Sequence, residues 1–218
     1  MKPIPIYIYF EALSFLASLT LYFQAGTPRY MKSFPPFLLL TVVVEVIGWR
    51  FAKHRQTILG VYDIFAVVTS TFYLYILKKF IHNLKVRTII QRVIWVYLVI
   101  AALTNIYFIQ IHRFNFLSFA LGCLIIVTVC IYYFFELFQL PQSINLLRDQ
   151  AFWITSGLLF FHCCSFMFIS LTNFVAKLSA TIFKNLNYIL QIIIVLFYIM
   201  FTIGFLCRLK IRKPDTLN

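Results

Sequence analysis

Charge is what this sequence has least of: only 11% of its 218 residues are Asp, Glu, Lys or Arg, against about 25% in a soluble domain. With 62% hydrophobic residues and a mean hydropathy of +0.92, that shortage excludes a water-soluble fold. Acids are scarcest, at 6 of the 218 residues. The five cysteines, Cys123, Cys130, Cys163, Cys164 and Cys207, form no CxxC pair and have no histidine at zinc-finger spacing, so they read as small buried hydrophobes. The amino terminus has one lysine, an early Glu11 and no small-residue cleavage site after its apolar run. It reads as a retained helix and not as a signal peptide.

What is present is a succession of apolar runs. Crossing a hydrocarbon core of about 30 Å takes about 20 residues at helical rise. Seven such runs fall at about 6–23, 37–52, 59–77, 93–110, 117–138, 151–173 and 186–207. They predict an all-α, polytopic, seven-helix transmembrane bundle occupying the chain as a single domain, with no soluble domain left over. The first run ends at the turn signal Ala25-Gly26-Thr27-Pro28. Pro35 and Pro36 open the second, where a proline costs no intrahelical hydrogen bond. Trp49 and Arg50 near its end mark a membrane interface.

The formal net charge of +13 is distributed in small groups between the runs. That pattern suits anionic lipid headgroups and topology, and argues against nucleic acid. One set of loops holds 12 basic residues: Arg29, Lys32, Lys78, Lys79, Lys85, Arg87, Arg92, Arg148, Arg208, Lys210, Arg212 and Lys213. The opposite set holds 7: Lys2, Arg50, Lys53, Arg55, Arg113, Lys177 and Lys184. Because Lys and Arg are retained on the cytoplasmic side, the bias predicts an outer amino terminus and a cytoplasmic carboxy terminus. The longest basic connection, Lys78 to Arg92, is expected to extend the third and fourth helices beyond the membrane. There Lys78, Lys79, Lys85, Arg87 and Arg92 offer a face to anionic lipid or to a signalling partner.

Four stretches, Glu45 to Trp49, Leu59 to Phe65, Phe72 to Tyr75 and above all Leu147 to Phe161, resemble an uncharacterised family of small bacterial seven-helix inner-membrane proteins. The resemblance implies the same architecture and a bacterial inner membrane; it implies no activity. Other seven-helix chemistries can be checked against the residues they need. Retinal attachment needs a lysine in the last helix, and 186–207 contains none. An intramembrane zinc hydrolase needs several histidines, and His162 alone lies within a run.

Burying a charge in a membrane helix costs about 2.5 to 3.5 kcal/mol on the gentlest scale, so intramembrane acids are candidates for function. Glu11, Glu45 and Asp63 fall roughly 6 to 10 Å below one boundary in the first three helices, at helical rise. Glu11 shares a face with Ser14 and Ser18, and Glu45 with Thr41 and Trp49. These stripes predict one shared interior site for the three acids, with Arg50 as internal counter-ion. His162, midway along the sixth helix, is the remaining candidate, either as a titrating group or as an interior histidine bonded to a neighbouring helix. Glu136 reads as an acid snorkelling towards Arg148 or the basic loops.

These residues point to a small sensor, receptor or regulatory membrane subunit with an acidic outer pocket, acting through another chain. A cation- or proton-coupled transporter is the alternative, against which stands the lack of paired Gly or Pro interruptions. An intramembrane enzyme lacks a nucleophile, base and metal set, and no cofactor is expected.

Overall fold

The computed structural model describes residues 4–24, 26–53, 59–110, 115–139, 146–175 and 180–207. Seven helices follow one another: α1 (Ile6–Phe23), α2 (Phe34–Lys53), α3 (Leu59–Phe80), α4 (Leu84–Gln110), α5 (Phe116–Phe138), α6 (Gln150–Val175) and α7 (Ala180–Leu206). All seven are long and apolar enough to span a bilayer. The chain is a multi-pass integral membrane protein. Its two faces are called here amino-terminal and carboxy-terminal, after the chain end each carries. Several residues counted in the charge bias, among them Lys2, Arg55, Arg113, Lys177 and the basic tail from Arg208, lie outside the described residues.

Local sequence accounts for the helix ends. Gly26, at φ +79°, makes the left-handed turn after α1 that a side chain would strain. Pro35 and Pro36 occupy the first turn of α2, as their missing amides require. The third and fourth helices are longer than their apolar cores: α3 runs to Phe80 and α4 starts at Leu84, leaving a three-residue turn at 81–83. Asn83 caps α4 by accepting from the Lys85 amide at 3.0 Å. Asn115 caps α5 in the same way, its Oδ1 accepting from the Ser118 amide at 3.0 Å.

Six helices form a ring. Going round it, α2 packs on α1, α1 on α7, α7 on α6, α6 on α5 and α5 on α3. The ring closes between α3 and α2, whose backbones stand apart and are bridged by side chains. The Phe37 and Phe72 rings stack there at 3.8 Å, and Tyr62 lies so close over Gly48 that a Cβ at Gly48 would collide with its hydroxyl. Helix α4 lies outside, packed on α3 and α5, and exposes Trp95, Val99, Leu103 and Ile106. Lipid is the medium these side chains suit.

Two carboxylates tie α3, α4 and α5 together at opposite ends. At the carboxy-terminal face Glu136 of α5 accepts from the amides of His82 and Asn83, at 2.9 and 2.8 Å, in the turn between α3 and α4. Of the two destinations expected for Glu136, Arg148 or the basic loops, it reaches the turn within the basic connection from Lys78 to Arg92, where His82 Nδ1 also lies 3.9 Å away, and no ion pair with Arg148 occurs among the described residues. Two amides at the positive end of α4 satisfy the carboxylate there. At the amino-terminal face Asp63 of α3 accepts from the Asn115 amide at 2.9 Å, at the start of α5.

The core of the carboxy-terminal half is aromatic. Phe34, fully buried, meets Phe72, Phe201 and Phe205 edge-on at ring separations of 5.3, 5.7 and 5.2 Å. Tyr73 and Phe197 continue the block towards the middle of the bundle. Gln24, just past α1, donates to the Phe205 carbonyl of α7 and accepts from Gln150 of α6, fastening three helices at that face.

Candidate functional site

The amino-terminal half of the ring holds a cavity of about 260 Å³, walled by every helix of the ring and by none of α4. Its register follows the helices: Tyr7 and Glu11 lie in the first two turns of α1, Thr41 and Glu45 on either side of the middle of α2, and Tyr62 near the start of α3. Tyr73, His162, Phe197 and Tyr198 line it nearer mid-bundle. Beyond them the aromatic block fills the interior. A separate cleft of about 290 Å³, bordered by Lys79, His82, Glu136 and Asp149, lies at the other face and shares no lining residue with the cavity.

The two acids of the cavity are each held by one tyrosine. The Tyr7 hydroxyl donates to Glu45 Oε2 at 3.0 Å, across α1 and α2. The Tyr198 hydroxyl donates to Glu11 Oε1 at 3.3 Å, across α7 and α1. Glu11 is fully buried, and its other oxygen, Oε2, has no hydrogen-bond partner among the described residues. Thr69 Oγ1, on the same wall, is also buried without one. No lysine or arginine among the described residues lines the cavity. Two carboxylates thus share an apolar chamber whose walls supply hydroxyls and aromatic faces and no described cation.

His162 lies on the same wall. Its Nδ1 donates to the Leu158 carbonyl one turn earlier at 2.8 Å, and its ring meets the Tyr73 ring edge-on at 5.9 Å. The backbone bond fixes the proton on Nδ1 and the orientation of the ring. The bond is made within α6 and not to a neighbouring helix.

Two of the expected site residues lie elsewhere. Asp63 follows Tyr62 by one residue, hence about 100° round the helix, so with Tyr62 on the cavity wall Asp63 turns to α5. Arg50 stands five residues beyond Glu45, about 140° round α2, and is exposed. It neither lines the cavity nor pairs with an acid among the described residues. The three-acid cluster is therefore a two-acid site. Asp63→Ala should cost about 2 kcal/mol, the range for a hydrogen bond to a charged group, because it leaves the Asn115 amide unmet. Detergent unfolding would measure that loss, while the cavity chemistry should be unchanged.

Sequence reasoning reaches Tyr62 as a hydroxyl beside the acids, but does not single out Tyr7, Thr69 or Tyr198. Tyr7 sits four residues before Glu11 on one face of α1, a signal available in the spacing. Tyr198 is 187 residues from Glu11, and nothing local announces their bond. No family model, curated protein or solved structure matches this chain.

Proposed function

We propose that the protein is a small membrane receptor or regulatory subunit. Its ligand pocket is the acid-bearing cavity of the amino-terminal half, and its output passes to another chain or to lipid at the opposite face. The observation that carries this reading is the one-ended cavity: it contains Glu11 and Glu45 with no counter-cation among the described residues and stops at packed aromatic rings. A chamber closed on one side offers a binding site and no open path through the bundle. The basic positions Lys78, Lys79, Lys85, Arg87 and Arg92 gather where α3 and α4 meet, at the face away from the cavity. Lys78 donates to Gln91 at 2.6 Å and Lys79 lies over the Tyr75 ring, while Lys85 and Arg92 are exposed for a partner or anionic headgroups. We place the amino-terminal face outside and the basic turn in the cytoplasm of a bacterial inner membrane, on the charge bias and the family resemblance.

Site-directed thiol labelling in sealed vesicles tests both orientation and access. In a chain cleared of its native cysteines, His54→Cys, outside the described residues, and Ala66→Cys, in the cavity wall, should react with an impermeant reagent from the outer side. His82→Cys should react only from the inner side. Labelling of Ala66→Cys from both sides would replace the receptor with a transporter. Labelling of His82→Cys from outside would invert the orientation.

A further inference from the structure

We infer that the cavity takes a monovalent organic ammonium ion, a charged amine on a small apolar body; this deepens the pocket reading above and rests on it. Glu11 is the reason to expect a cation at all. It is fully buried, Tyr198 meets only one of its oxygens, and Oε2 lacks a partner among the described residues. Glu45, its companion, has one oxygen held by Tyr7. A buried carboxylate oxygen left unmet is costly, and an N–H donor bearing positive charge is the partner that returns most.

The rest of the chamber decides which cation. Calcium asks for six to eight oxygen ligands, and no group of three or more His, Cys, Asp or Glu side chains able to hold a metal occurs among the described residues. The walls are instead aromatic: Phe161 and Phe197 stack at 4.7 Å with Tyr73 and Tyr198 beside Phe197, and Tyr62 lines the wall nearer the amino-terminal face. Aromatic faces attract an ammonium through the ring quadrupole and bury hydrocarbon equally well. A bare alkali ion gains from neither the packing nor the shape. A cavity of about 260 Å³ suits a compact amine such as an arylethylamine.

The test is a titration of the full-length protein, in neutral detergent, with 2-phenylethylammonium, its neutral isostere 2-phenylethanol, sodium and calcium. Binding is read by calorimetry and by the unfolding midpoint. The ammonium should bind and raise the midpoint, and the alcohol should bind at least tenfold more weakly. Glu11→Gln and Glu45→Gln should each lose at least tenfold in ammonium affinity, and Ala66→Leu should abolish binding by filling the chamber. Should a Glu variant fail to fold, the alcohol comparison and Ala66→Leu still decide. Equal binding of the alcohol, ammonium affinity indifferent to both Glu substitutions, or no binding by any probe would overturn the inference. A Glu-dependent response to sodium or calcium alone would overturn the ammonium assignment and leave the receptor pocket standing. Two-sided labelling of Ala66→Cys would remove the receptor reading and leave a measured ammonium affinity intact.

Discussion

Phe34→Ala is expected to lower stability by about 3 kcal/mol, the low end of the range for a buried phenylalanine. The low end applies because lipid tails are as apolar as the protein interior, so exposing the ring costs little and the loss is mainly of packing. Phe34 is fully buried at the head of α2, and its edge-on contacts join α2 to α3 and α7 at once. Phe34→Leu should recover more than half of the loss by refilling the volume. Unfolding by SDS in mixed micelles, followed by loss of helicity, would measure both; a Phe34→Ala change below about 1 kcal/mol would mean that the aromatic block relaxes around the gap.

Glu136→Ala should cost about 2 kcal/mol. A carboxylate bonded to two amides could contribute about 1.5 to 3 kcal/mol for each bond when fully buried, but these bonds lie at an exposed turn, where water replaces part of the loss. The exposure decides for the lower total. Glu136→Gln, which keeps an acceptor and loses the charge, should fall between the variant and the parent chain. Amide hydrogen exchange at His82 and Asn83 offers a second reading: their protection should vanish in Glu136→Ala while that of mid-bundle amides persists. If both regions lose protection together, the turn and the bundle unfold as one unit.

The spans were legible because bilayer thickness imposes a length and a composition on every helix, and both are written locally. Azimuth was harder to read. Depth placed Glu11, Glu45 and Asp63 at one level, but one residue separates Tyr62 on the cavity wall from Asp63 facing α5, and the apolar helices have too little polar contrast to show which way each turns. Arg50 misled for the same reason: nearness in sequence to Glu45 is not nearness on a helix surface. The partners of Glu136 and Asp63 are backbone amides, which every residue but proline carries and which leave no mark in a sequence. The tyrosine that holds Glu11 comes from the last helix, a pairing that only the closed ring creates.

The thin closure between α2 and α3 gives this ring a mechanical character. Elsewhere around it neighbouring backbones pack closely, and Asp63 and Glu136 clamp α3, α4 and α5 into one block. A ring packed closely everywhere but at one join resembles a split collar: anything that swells the chamber would spend its strain at the gap, with the α6 and α7 contact opposite acting as the spring. The moving parts would then be the stacked Phe37 and Phe72 rings and the Tyr62 ring over Gly48. Tyr62 lies on the chamber wall and Phe72 touches Phe34 of the aromatic block, so the one loosely packed join of the ring borders both halves of the interior.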